Sequence, residues 1–187
     1  MVLLGHDLIL EPLAVGHAQA MFEVLSEPAL YRYLDEAPPP CVEDLRRRYL
    51  RLEQRRSSDG SQLWLNWIVR PHGHPPVGYV QATVETNHTA WVAYVFASRV
   101  WGRGFATQAT HLMIEHLASA WGVVRYRAIA EAENQRSIRV LERLGFHAGI
   151  GQDLDGQRLS PTEILFLKEG GSSHKDGREL RGNSGIA

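Results

Sequence analysis

The sequence predicts one α+β domain over residues 1–168, a mostly antiparallel mixed sheet of about seven strands flanked by about four helices. Three observations predict it. The chain has 187 residues, which corresponds to about one domain. Its hydrophobic pattern switches between the two-residue period of strands and the helical period of about 3.6, in the order β, α, α, β, β, β, α, β, α, β, β. The passage from Thr89 to Glu131 reads strand, helix, strand, the one place where a crossover would bring two strands together in parallel.

Each element has a local cause. Asp7 to Leu13 alternates as a strand does, and Pro12 and Gly16 close it. Ala18, Met21, Phe22 and Leu25 recur at helical spacing until Pro28 stops the helix. Pro38, Pro39 and Pro40 make a stiff link. Val42, Leu45, Tyr49 and Leu52 then share one helical face, while Arg46, Arg47, Arg48, Arg51, Arg55 and Arg56 lie mostly on the others as a solvated charged surface. Leu63 to Arg70, Val77 to Glu85 and Thr89 to Ala97 are rich in aromatic and β-branched residues. The links Pro71 to Pro76 and Thr86 to His88 carry turn chemistry, so these three segments form an antiparallel meander.

Ala106, Ala109, Leu112, Met113, His116, Leu117 and Ala120 mark a helix that starts after Gly104 and ends at Gly122. Val123 to Glu131 is the next strand, and Ser137 to Leu144 a short helix closed by Gly145. Two strands, near Phe146 to Ile150 and Thr162 to Lys168, surround a turn-rich loop from Asp153 to Pro161. From Glu169 to Ala187 the composition turns to Gly, Ser and charge without an apolar period, so residues 169–187 are expected to form a flexible tail.

Composition excludes several classes of function. Twenty Lys and Arg against 21 Asp and Glu leave a net charge of -1, without the diffuse positive field that non-specific nucleic-acid binding needs. Trp64 and Trp67 are three apart on a strand and face opposite sides, so they make no common stacking platform. The single cysteine, Cys41, allows no internal disulfide and no thiolate zinc cage. Among nine histidines, His72 and His74 lie in a Pro/Gly turn, and His111 and His116 are five apart rather than the four of one helical face; no metal is expected. The first residues lack a basic leader, and no apolar run reaches the roughly 18 residues of a membrane span, so a cytoplasmic protein without membrane partners is expected.

The chemistry concentrates in two segments. Arg99-Val-Trp-Gly-Arg-Gly-Phe-Ala-Thr107 lies between a strand and a long helix. Two glycines two apart at a helix N-terminus let main-chain N–H groups approach a ligand, and the unpaired amides of the first turn favour an anion such as a phosphate. Arg103 adds charge, and Ala106 keeps the first turn slim. There is no Gly-Lys-Ser/Thr ending of a nucleotide loop, and Thr107 stands where a dinucleotide fingerprint has its third glycine. The second segment, Asn134-Gln-Arg-Ser137 followed by Leu144-Gly-Phe146, is by itself a capped short helix with Asn134 or Ser137 as N-cap.

Together, in this order and at this separation, the two segments resemble the GCN5-related N-acetyltransferase (GNAT) superfamily, whose R/Q-x-x-G-x-G/A signature corresponds to Arg99, Gly102 and Gly104. The resemblance is closer to its RimJ/RimL-like branch, through Leu8-Ile-Leu-Glu-Pro-Leu13, Gly78 opening a central strand, Trp101 to Thr107, and Asn134-x-x-Ser137 with Leu144-Gly-Phe146.

The resemblance implies a GNAT-like fold in which the strands Trp91–Ala97 and Val123–Glu131 are parallel neighbours that splay apart. Main-chain groups near Val95 and Phe96 would bind the pantetheine arm of acetyl-CoA, and an N–H there would polarise the thioester. The pyrophosphate would rest on Trp101, Gly102, Arg103, Gly104, Phe105, Ala106 and Thr107, with Asn134 on the pantetheine and Ser137 near the sulfur. A neutral amine would attack the acetyl carbonyl directly in a ternary complex. Glu85 and Glu131 are the candidate bases. Many relatives protonate the departing thiolate with a tyrosine on the last helix, where this chain has Leu141, which leaves Ser137 or water as the proton donor.

The acceptor, a protein N-terminal α-amine or a small-molecule amine, would bind between Met21–Leu52 and Ile150–Thr162, segments that do not select among amines. Acetyl-CoA is the implied co-substrate, without a metal, and homodimerisation is left open. The missing tyrosine keeps a catalytically silent acyl-CoA-binding regulatory module as the alternative.

Overall fold

The computed structural model describes residues 1–149 and 159–170. The chain runs β1 (Leu3–Leu4), β2 (Leu8–Pro12), α1 (Ala18–Leu25), α2 (Val42–Leu52), β3 (Leu63–Pro71), β4 (Gly78–Val84), β5 (Thr89–Phe96), α3 (Phe105–Trp121), β6 (Arg125–Glu131), α4 (Gln135–Arg143), β7 (His147–Ala148) and β8 (Glu163–Glu169). Short 3-10 turns occupy Val15–His17, Pro28–Tyr33 and Ser98–Val100. The strands form one sheet in the order β1-β2-β3-β4-β5-β6-β8-β7. Every neighbouring pair is antiparallel except β5 with β6, as the single crossover through α3 requires.

Strand alternation sends residues to two cores. Leu65, Trp67 and Val69 of β3 join Val80, Ala109, Met113, Leu117, Ile138 and Leu141 between one sheet face and the helices α3 and α4. Ile68, one residue out of phase, packs with Met21, Val24, Leu45 and Tyr49 beneath α1 and α2 on the other face. Trp67 is fully buried and meets His116 edge-on at 5.8 Å, whereas Trp64 bonds its neighbour Gln62, so the two tryptophans share no surface. No helix among the described residues is long and apolar enough to cross a membrane.

The structure departs from the sequence reading at several boundaries. The sheet has eight strands rather than about seven, because Leu3–Leu4 adds a two-residue edge too short to leave an alternating signature. Pro28 stops α1 and also opens a 3-10 turn, where its missing N–H costs nothing. α4 begins at Gln135 rather than Ser137, because Asn134 Oδ1 accepts the Ser137 N–H at 3.2 Å and so caps the helix two residues earlier. β8 continues through Glu169, paired with Arg125, one residue into the segment expected to be tail. Ile150, most of the Asp153–Pro161 loop and residues 171–187 lie outside the described residues.

Candidate active site

β5 and β6 pair only from Thr89–Arg125 to Trp91–Arg127, and beyond that bridge they separate. Glu85 N–H donates to Thr89 O, and Ala97 N–H to Val77 O, which fixes the phase of the β4–β5 ladder from both ends. Odd-numbered residues of β5 therefore bond β4, and the main-chain groups of Tyr94 and Phe96 point into the gap. Val95 lines the cavity, yet its amide and carbonyl belong to the β4 side, a shift of one residue from the Val95–Phe96 pair read from sequence. The Phe96 carbonyl is already used, accepting Trp101 Nε1–H at 2.7 Å.

Gly78 explains how β5 is held there. A Cβ at that position would run into Val95 O and lie 2.9 Å from Phe96 Cα, so only glycine lets β4 run this close to the end of β5.

The gap opens into a cavity of about 780 Å³. One wall is the turn into α3. Gly102 and Gly104 have φ of +75° and +83°, conformations that suit glycine, and a Cβ on either would meet nothing within 4 Å. The N–H groups of Phe105, Ala106 and Thr107 precede the first intrahelical bond, which Gln108 N–H makes to Gly104 O. Thr107 Oγ1 is buried without a partner among the described residues. Free amides, a helix N-terminus and an orphan hydroxyl are a donor set that fits a diphosphate. Trp101, Gly102, Gly104, Phe105, Ala106 and Thr107 all line the cavity. Arg103 does not; it is exposed and lies over the Phe105 ring at 5.3 Å.

The opposite wall is α4. Asn134 and Ser137 line the cavity, Asn134 with its carbonyl committed to the cap and its NH₂ without a partner among the described residues. Tyr94 Oη lies 2.9 Å from Ser137 Oγ and 3.1 Å from Ser137 O, joining β5 to α4 across the opening. Burial pushes the Tyr94 phenol up to about 12, against a smaller opposing effect of its bond to Ser137, so it stays protonated at neutral pH. Sequence reasoning missed Tyr94, because alternation shows only that it shares a face with Val92 and Phe96. Arg136 covers the Trp101 ring at 4.5 Å and ties α4 to the glycine turn.

The family model for the acetyltransferase (GNAT) domain matches residues 7–147. The chain belongs to the GNAT family. Among curated proteins it is similar to the uncharacterized protein YkkB of Bacillus subtilis, 30% identical over 70 residues, which are 37% of this chain and 41% of that protein's length. Its fold is shared with a RimL ribosomal L7/L12 α-N-protein acetyltransferase in complex with coenzyme A (TM-score 0.74, 19% identity, 91% of this chain and 98% of that one). It is also shared with the ribosomal-protein-S5-alanine acetyltransferase of Vibrio fischeri (TM-score 0.74, 18% identity, 92% and 98%).

A second GNAT cavity, about 390 Å³, lies against α2 and the proline link, lined among others by Tyr31, Glu36, Arg48, Arg51 and Tyr79. Leu34 and Val95 line both cavities, so the two adjoin at the end of β5. Arg48 holds Glu36 at 2.8 and 3.3 Å, and Arg47 pairs with Asp44.

The two carboxylates singled out as bases are not brought to the opening. The β4–β5 hairpin sets Glu85 beside Thr89, at the end of the sheet where β5 and β6 are still paired. Seven residues of strand, roughly 23 Å, separate Thr89 from Phe96, and Glu85 accepts Trp91 Nε1–H instead. Its position at a strand end was legible in the sequence; which end was not. Glu131 ends β6 on the splayed side, opposite Glu163, outside the cavity lining, while Glu133 is in it. Leu141 is buried beneath α4, so that position offers the cavity no proton donor. Among the described residues, no cluster of three or more His, Cys, Asp or Glu side chains is arranged to hold a metal ion.

Proposed function

We propose that this GNAT chain is an acetyl-CoA-dependent N-acetyltransferase of the RimJ/RimL-like kind, which moves an acetyl group to a primary amine by direct attack in a ternary complex. The observation that carries this reading is the unpaired gap between β5 and β6 beside the free amides of α3. The diphosphate rests on the amides of Phe105, Ala106 and Thr107, and the pantetheine arm pairs with Tyr94 and Phe96 as an added strand would. Asn134 offers its NH₂ to the same arm. The acceptor arrives through the second cavity, which meets the first at Val95. The structural neighbours named for L7/L12 and S5 support a protein N-terminal α-amine as acceptor.

In the reaction the amine nitrogen forms a bond to the acetyl carbon, the C–S bond breaks, the nitrogen loses a proton and the thiolate gains one. The Phe96 N–H, turned into the gap, stabilises the oxyanion. Ser137 Oγ is the proton donor to sulfur, and Tyr94 orients it. When Tyr94 donates to Ser137 O, Ser137 donates to Tyr94; when Tyr94 turns its proton to Ser137 Oγ, the serine proton is free to face the cavity. Glu36 and Asp44, the carboxylates on the acceptor side, are engaged by arginines, and Glu131 stands outside the cavity lining, so deprotonation of the amine falls to water.

Release of free thiol from acetyl-CoA across a panel of N-terminal peptides, polyamines and aminoglycosides tests the reading. Turnover is expected, fastest with peptides. Tight coenzyme A binding without turnover of any amine selects the silent regulatory module instead, and a folded protein that binds no coenzyme A ends both readings.

A further inference from the structure

The smaller cavity is charged on one wall and neutral on the other. Asp44, Arg47, Arg48 and Arg51, three and four apart on α2, form one strip along its helical wall. Arg47 pairs with Asp44 and Arg48 with Glu36 of the proline link, but Arg51 has no acidic partner among the described residues. Three guanidinium groups therefore meet two carboxylates, and the lining keeps one uncompensated cation. The sheet side is different. Val95 lines both cavities, and Tyr79, its partner in register on β4, lines the smaller one. Burial pushes the Tyr79 phenol up to about 12, so it brings a neutral hydroxyl to the end where the two cavities adjoin.

The Arg48–Glu36 contact is fork to fork, with two guanidinium nitrogens on two carboxylate oxygens at 2.8 and 3.3 Å. Glu36 lies outside any helix or strand, and the two side chains are 39% and 55% exposed, so the pair adds little to stability and opens at little cost. A carboxylate on an incoming molecule has the same shape and charge, and it meets Arg48 together with the unpaired Arg51 one turn further on. The same cations act on the amine. Among guanidinium groups an ammonium is disfavoured against the neutral amine, which is the form that attacks. A polycationic amine is repelled.

We propose that Arg48 and Arg51 form a carboxylate-reading subsite of the acceptor cavity, that Glu36 fills it in the resting protein, and that the preferred acceptor carries a carboxylate close to its amine. That carboxylate is an acidic side chain beside an N-terminal α-amine or the main-chain group of a free amino acid. The inference rests on the acetyltransferase reading above and narrows its acceptor.

Thiol release by the full chain with acetyl-CoA held saturating tests it. The acceptors are short peptides that differ only by Asp or Glu against Asn or Gln among their first residues, free amino acids against their amides, and spermidine. The acidic member of a pair is expected to show a KM about tenfold lower, the scale of a charge-assisted contact, with the ratio shrinking as salt rises and spermidine turned over most slowly. Preference among the peptides assigns the carboxylate to a side chain, and preference among the amino acids assigns it to the main chain; either supports the subsite. The variant R48A/R51A should bring the ratio to about one without changing the KM for acetyl-CoA, while Arg46→Ala, a cation outside both cavities, should leave it intact. Glu36→Gln should lower the KM of the acidic acceptor alone, by about threefold, because the resting occupant is gone. Equal KM values within every pair overturn the subsite and spare the acetyltransferase reading, as does a double variant that moves only the KM for acetyl-CoA. Coenzyme A binding without turnover of any amine overturns that reading itself, and the subsite with it.

Discussion

Tyr94 on β5 and Ser137 on α4 hold their hydroxyls 2.9 Å apart across the gap that separates β5 from β6. Tyr94 is fixed by its strand and kept neutral by burial, which makes it a steady donor or acceptor toward the serine at any physiological pH. Tyr94→Phe should lower kcat roughly tenfold, with little change in the KM for acetyl-CoA, and Ser137→Ala should cost at least as much. If the two act as one unit, the double variant is no slower than Ser137→Ala alone. Additive losses in steady-state kinetics would mean that the tyrosine does not work through the serine. The absorbance of the thiolate offers a check independent of turnover: the thiol of bound coenzyme A should titrate at higher pH in Tyr94→Phe than in the unaltered protein.

Gly104 separates steric from conformational effects. Its φ of +83° disfavours any side chain, by about 1–2 kcal/mol, but a Cβ there meets no protein atom within 4 Å. Gly104→Ala should therefore lower the melting temperature by a few degrees, and Gly104→Val should do so by a similar amount. Their coenzyme A affinities should diverge, with the valine variant weakened by about a hundredfold, because its branches fill the space in front of the free amides of α3. Equal affinities in the two variants, read by calorimetry, would remove the diphosphate from this turn.

Gly78 should behave in the opposite way. Its missing Cβ is required by protein rather than by ligand, since Val95 O and Phe96 Cα stand where the methyl would go. Gly78→Ala should destabilise the fold by about 1–3 kcal/mol, as overpacking does, and displace the end of β5, so that stability and coenzyme A affinity fall together. A variant with unchanged denaturant midpoint and unchanged affinity would show that β5 holds its course without this contact.

Much of this was legible in the sequence, because long strands and helices announce themselves by period and the glycine turn by its chemistry. What escaped depends on distance in space. The phase of the β5 ladder, which turns Tyr94 and Phe96 rather than Val95 into the gap, is set by pairing with β4. Glu85 sits at the wrong end because an antiparallel hairpin returns the end of β4 to the start of β5. The Pro28–Tyr33 turn, read as the end of a helix, supplies Arg32 and Tyr33 to the cavity, and no short-range pattern marks a turn that becomes a wall. The arginines of α2 and α4 look alike in sequence, and only their partners tell them apart.

The first residues of the sheet supply a pH-dependent test. Arg70 on β3 donates to Glu11 on β2 through Nε and Nη2, each at 3.1 Å, and His17 Nε2 lies 3.2 Å from the same carboxylate. Because Ala14 N–H donates to His17 Nδ1 at 3.0 Å, the imidazole carries its hydrogen on Nε2, toward Glu11, and the turn that opens α1 is fastened to the sheet. The hydrogen bond from Arg70 is the main cause that holds Glu11 below the ordinary glutamate value of 4.5. A carboxyl whose pKa is lower when folded stabilises the fold above its unfolded pKa, and that contribution disappears as the pH falls through the folded value. Glu11→Gln should therefore cost about 1 kcal/mol or less at neutral pH, given the partial exposure of the pair. The gap between the two proteins in urea unfolding should narrow below pH 4.5 and close once the native carboxyl is protonated. A gap that stays constant through the acid range would assign the effect to packing of the glutamate rather than to its charge.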